Sequence, residues 1–159
     1  MGAWTSFFET AAGASATLVG LLVVAISINL TRILDFPQLP SRAGSALVPL
    51  AGVMVVSMLA LVPQPARVFG VEVLVAGLAI WALAGFLLIK SLRLTEGLQR
   101  SWVISHVPVN QAQTLPLVVA GVLLTLGFPS GLYWIVAGMI ASMLAGLMNA
   151  WVLMVEILR

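Results

Sequence analysis

The sequence contains no cysteine and one histidine, and its 159 residues carry only seven Lys or Arg and five Asp or Glu. Without cysteine there is no disulfide, no thiolate nucleophile and no cysteine-ligated metal, and the redox compartment stays open. With charged residues at 8%, a water-soluble fold of this length would lack the polar surface to cover itself. The same scarcity removes the pI near 10.0 as a nucleic-acid signal, because it rests on a net charge of only +2. Also missing are a Ser-His-Asp arrangement, a phosphate-binding glycine loop, an HExxH pair, a haem-ligand pair and a metal-holding cluster of His and Glu. These absences argue against an enzyme, a cofactor and a metal site.

What is present is apolar sequence: 62% of residues are hydrophobic, and the mean hydropathy is +1.17. The expected fold class is all-α, a polytopic membrane bundle of five transmembrane helices forming one domain over residues 1–159. The spans fall at about 6–34, 42–62, 68–92, 111–126 and 131–157. The first is too long for a cleaved signal peptide and carries Glu9 instead of a basic residue at its amino end, so it is read as a retained helix.

Local signals mark the ends. Ser6-x-x-Glu9 matches a capping box at the start of the first span, and Asn110-x-x-Gln113 resembles another before the fourth. Pro37 and Pro40 stop the first span, and Pro49 bends the opening turns of the second. Pro63-Gln64-Pro65 and Gly127-Phe128-Pro129-Ser130-Gly131 form tight turns, which set spans two and three, and four and five, antiparallel. Residues 93–109 form the one polar connection of any length, with Trp102 at headgroup level and His106-Val107-Pro108 ending it.

With five spans, Arg32, Arg42, Lys90, Arg93, Arg100 and Arg159 collect on one side and Arg67 alone on the other. The positive-inside rule then places the amino terminus outside and the carboxyl terminus in the cytoplasm. A multi-pass protein of a cell membrane, the bacterial cytoplasmic membrane in particular, is the expected location.

An ionisable residue in a span is a functional candidate by default, and each one here also has a plain structural role. Glu9 can close its capping box or face an outer vestibule. Glu72 can pair with Arg67 or with the helix dipole, and Glu156 with Arg159. His106 has no second ligand nearby, which leaves an ordinary loop residue or a pH sensor. Two stripes stand out at helical spacing: Glu9, Gly13, Ala16, Gly20, Ser27 and Thr31 on the first span, and Gly138, Ser142, Asn149 and Glu156 on the last. These two helices run in the same direction, so Ser27 and Asn149 lie at similar depth. The stripes either hold helices together, at roughly 0.6–2 kcal/mol per polar contact, or line a narrow polar passage. Met58, Met139, Met143, Met148 and Met154 are taken as core filler.

The segments Phe7-Phe8-Glu9-Thr10-Ala11-Ala12-Gly13-Ala14 and Ser27-Ile28-Asn29-Leu30, with the ending Asn149 to Arg159, resemble small uncharacterised bacterial multi-span membrane proteins. That resemblance implies no activity. Two functions from different classes follow: a homo-oligomeric channel or passive transport subunit for ions or small polar solutes, or a non-transporting module that binds or regulates another membrane protein. Membrane lipid, further copies of the chain and a membrane-protein partner are the expected contacts; nucleic acid is not. A secondary transporter is weakened by the lack of an internal repeat and of a charge at mid-bilayer.

Overall fold

The computed structural model describes residues 4–37, 39–94 and 100–158, and nearly all of them are helical. In chain order the helices are α1 (Thr5–Ile28), α2 (Leu30–Asp35), α3 (Leu39–Leu61), α4 (Ala66–Leu94), α5 (Arg100–Thr125) and α6 (Gly131–Leu158). Four of them are long and apolar enough to cross a membrane, over Thr5–Ile28, Leu39–Leu61, Ala66–Lys90 and Gly131–Val155. The all-α, multi-pass architecture therefore stands, with four apolar spans where five were expected. Helix α5 is as long as the others but carries Asn110, Gln111, Gln113 and Thr114, which lower its hydropathy.

Exposure is inverted relative to a water-soluble fold. Leu21, Ile28, Val75, Phe86, Leu144 and Trp151 point outward, whereas Ser15, Ser57, Asn110, Gln113, Thr114 and Ser142 are buried. Such an arrangement fits hydrocarbon as the solvent, because polar groups there must find partners inside the protein.

Helices α3, α4, α5 and α6 close a ring in which each packs on two neighbours; α1 lies outside the ring against α3 and barely touches α6. Helices α4 and α5 approach at backbone level through Gly70, Gly77 and Gly121. A Cβ on Gly121 would lie 2.5 Å from the Leu74 Cα, and one on Gly70 would lie 2.6 Å from the Thr125 nitrogen. Lipid supplies little hydrophobic drive between helices, so this close packing is what holds the pair.

The turns 62–65 and 126–130 and the start of α1 share one end of the bundle, here the turn end. Its apolar core draws on all five long helices, through Phe8, Val53, Val56, Phe69, Val73, Leu117, Leu124, Ile135 and Met139. Edge-on ring pairs, Trp4 with Tyr133 at 5.3 Å and Phe8 with Phe69 at 6.4 Å, tie α1 to α6 and α4. The 126–130 turn forms as expected. Gly127 adopts φ +89°, and the amides of Gly127 and Phe128 bond the carbonyls of Leu124 and Leu123, a Schellman closure that needs a residue without Cβ strain.

Several boundaries differ from the expected ones. The first span is not one helix over 6–34 but divides at Asn29. The Asn29 Nδ2 donates to the Ala25 carbonyl at 2.9 Å, the position its own amide would fill in a continuous helix, and that amide turns to Ile26 O instead. No capping box forms at Ser6 and Glu9: Trp4 is the N-cap without a side-chain bond, and the Ser6 carbonyl accepts from the Thr10 hydroxyl. Asn110 and Gln113 are not a helix start either, since α5 begins at Arg100 and continues through Pro108. Proline removes one amide from the ladder, whereas unwinding a turn in lipid would orphan several. The expected polar connection at 93–109 thus contracts to residues 95–99, which lie outside the described residues. Among the methionines, Met139 is core, but Met58, Met148 and Met154 face outward.

Candidate functional site

Polar side chains converge in the middle of the ring on one face of α5. Asn110, Gln113 and Thr114 stand at i, i+3 and i+4, the spacing that places side chains together on a helix, and all three are buried. Gln113 Nε2 donates to Asn110 Oδ1 at 3.1 Å, and the Thr114 hydroxyl donates to the Asn110 carbonyl at 2.8 Å. From α6, the buried Ser142 hydroxyl donates to the Gln113 carbonyl at 2.9 Å. Ser142 lies near the centre of the Gly131–Val155 span, so this polar face sits at mid-depth. Toward α4, Trp81 Nε1 donates to Gln111 Oε1 at 2.9 Å.

Prolines flank the polar turn. Pro116 offers no amide to the Ala112 carbonyl, and Pro108 offers none to that of Ile104.

One buried group in this face has no partner. Gln113 is 3% exposed, and its Oε1 accepts no hydrogen bond. Turning this amide alone would set Oε1 against Asn110 Oδ1, acceptor against acceptor. An unpaired buried carbonyl costs about 1–3 kcal/mol, a cost for which packing gives no return.

Asn149 has a different task. Its Nδ2 donates to the Ser45 carbonyl of α3 at 3.3 Å. Pro49, which lies inside α3 and not in its opening turn, is the residue that would otherwise supply an amide to that carbonyl. Asn149 thus completes the helix that Pro49 interrupts. Asn149→Leu is expected to lower stability by about 1 kcal/mol, and to cost much less in a Pro49→Ala background, where the backbone amide is restored. Equal losses in the two backgrounds, measured by unfolding in detergent, would refute this pairing.

The stripes noted in the sequence go separate ways. On α6, Gly138 packs against Leu117 and Pro116, and Ser142 and Asn149 turn inward. On α1, Glu9, Gly13, Ala16, Gly20 and Ser27 all lie on the exposed surface, as does Thr31 on α2, with open space beside Gly13 and Gly20. Phe8, Ala11, Ser15 and Leu22 form the buried side of that helix. The hydroxyls of Thr10, Thr17 and Ser27 bond back to carbonyls one turn earlier, so they are satisfied without a neighbouring helix. Ser27 and Asn149, read as lying at similar depth, bond elsewhere within one chain, Ser27 to the Val23 carbonyl and Asn149 to that of Ser45, and α1 barely touches α6.

Glu72 is half-buried at the turn end and accepts a 2.6 Å bond from Gln64 Nε2, not from Arg67, whose guanidinium lies near Gly127. A shallow cavity of about 350 Å³ opens beside it, lined by Thr5, Ala60, Leu61, Val62, Pro63 and Gln64. The backbones of His106 and Glu156 belong to α5 and α6, while their side chains lie outside the described residues.

Sequence reasoning missed Gln113 as a mid-depth group, because its spacing to Asn110 imitates a helix cap. The signal was present in the polar residues between Pro108 and Pro116, once residues 100–125 are taken as one helix. The chain matches no protein-family model, no curated protein and no solved structure.

Proposed function

We propose that the chain is a five-span membrane protein with its turn end outside, and that it works as a homo-oligomeric channel or passive transport subunit for ions or small polar solutes. In this reading α5 is the fifth span, the less apolar one, which shows lipid Leu115, Val119 and Val122 and turns Asn110, Gln113 and Thr114 inward. The position of Arg32, Arg42 and Lys90 at the end opposite the turns supports a cytoplasmic assignment for that end. The observation that carries the transport reading is Gln113: an amide oxygen kept buried and unpaired at mid-depth serves a transient guest better than it serves packing.

Flux through liposomes containing the purified protein tests it. Uptake of ions or small polar solutes above that of empty vesicles, lost in Gln113→Leu with the fold retained, is expected; no flux of any kind ends the proposal. Because the chain lacks cysteine, single cysteines at Ser130 and Asp35 report orientation directly, Ser130→Cys being labelled from outside and Asp35→Cys only after permeabilisation.

A second reading is favoured by the outward stripe of α1. Gly13, Ala16 and Gly20 leave a smooth, small-residue surface of the kind helices use for close contact in lipid. A non-transporting module would use that surface for another membrane protein, and a homo-oligomer would use it for further copies. Gly20→Leu is expected to leave the monomer folded and to weaken self-association under the first reading; co-purification of one membrane partner in its place, without flux, selects the second.

A further inference from the structure

We infer that the guest of the ring interior is a small neutral hydrogen-bonding solute, of the size of water, ammonia or urea, and not an ion. This rests on the transport reading above and adds the class of solute.

The polar set at mid-depth holds no charge. Asn110, Gln113, Thr114 and Ser142 are all neutral, and Ser57, deeper toward the turn end, reaches only the Met139 sulfur at 3.9 Å. Among the described residues the ionisable side chains stand toward the helix ends: Glu9, Arg67 and Glu72 near the turn end, and Arg32, Asp35, Arg42 and Lys90 near the other. Among them no three His, Asp or Glu side chains gather closely enough to hold a metal ion. An ion at mid-bilayer needs a countercharge, or a full shell of oxygens in place of its water. One amide oxygen and a few hydroxyls complete no such shell.

The hydroxyls also have their protons committed. Thr114 donates to the Asn110 carbonyl and Ser142 to the Gln113 carbonyl, so each presents lone pairs to a guest. With Gln113 Oε1 these are acceptors, and the N–H groups of Asn110 Nδ2 and Gln113 Nε2 beside them are donors, so the face suits a guest that both donates and accepts. Water, ammonia and urea supply N–H or O–H groups without carrying charge, and their desolvation cost is small compared with that of an ion.

The experiment is a solute comparison in one set of vesicles. Stopped-flow light scattering of proteoliposomes reads water, ammonia and urea permeability, and K⁺ and Cl⁻ flux is read in the same preparation. Permeation of at least one neutral solute above empty vesicles is expected, with no ion flux. That permeation falls to the empty-vesicle level in Gln113→Leu and Gln113→Met and persists in Leu144→Ala, which changes the lipid-facing surface. Two apolar replacements are used so that a folding defect in one, seen as lost helicity, does not decide the result. Ion flux that depends on Gln113 overturns this inference and leaves transport standing. Neutral permeation indifferent to both replacements overturns the assigned site, and absence of all permeation overturns the transport reading together with this one.

Discussion

Gly121→Ala is expected to force α4 and α5 apart and to lower the stability of the purified protein by about 3 kcal/mol, at or beyond the upper end of ordinary overpacking. The new methyl would sit 2.5 Å from both the Leu74 Cα and its nitrogen, atoms of a helix backbone that cannot rotate away. Two other glycines calibrate the effect. At Gly52 the added Cβ meets the Ile80 Cδ1 at 2.7 Å, a side-chain end that can swing aside, so Gly52→Ala costs roughly 1 kcal/mol or less. Gly13 has nothing within 4 Å, and Gly13→Ala gains up to about 1 kcal/mol from helix propensity. Unfolding in a mild detergent reads the order directly; a Gly121 loss no larger than that at Gly52 would show that α4 and α5 do not meet through their backbones.

Phe69→Ala carries the second large effect, a loss of roughly 3 kcal/mol, at the low end for a buried aromatic. In lipid most of that loss is the cavity and its missing dispersion contacts, since removing the ring from water is no longer the main gain. Phe69 is fully buried and meets Phe8 edge-on, so the cavity opens where α1 rests on the ring of helices. Hydrogen exchange is expected to rise first in the early turns of α1. Phe8→Ala should produce the same pattern, and the double variant should fall short of the sum by about 0.5–1.5 kcal/mol. Strict additivity would mean that the two rings stabilise separate regions.

Much of the fold was legible because bilayer length and hydropathy constrain it so strongly. The runs at 42–62, 68–92 and 131–157 came out within a few residues of α3, α4 and α6, and the proline turns closed where expected. The errors cluster where a polar side chain does two things. Asn29 imitates its own backbone amide and so breaks a helix that composition would continue. Ser6 and Glu9, and again Asn110 and Gln113, have the spacing of a cap because a cap and a helix interior share the same i, i+3 geometry. Spacing by itself does not tell one from the other.

The candidate site was legible only in part. Ser142 and Asn149 were visible as members of a polar stripe, but the carbonyls they bond, Gln113 on α5 and Ser45 on α3, were not. Nothing local in Asn149 states that its amide serves the carbonyl freed by Pro49, more than a hundred positions earlier in the chain, and no hydropathy pattern reveals that the outward α1 hydroxyls already bond to their own backbone. Hence the α1 stripe lost its intramolecular role, and the polar turn of α5 gained one.

Composition and periodicity alone determined that the chain is helical and multi-pass, because lipid leaves backbone polar groups no other way to be paired over such apolar lengths. They also determined where it turns, since proline and the left-handed Gly127 permit little else. Only the tertiary structure decided which face of each helix is inside: α1 against α3 and not α6, α4 against α5 through bare backbone, and Gln113 at the centre. The reason is physical. In hydrocarbon both sides of an apolar helix are equally acceptable to the solvent, so the choice of face rests on shape and on a few long-range hydrogen bonds, which exist only once the helices have met.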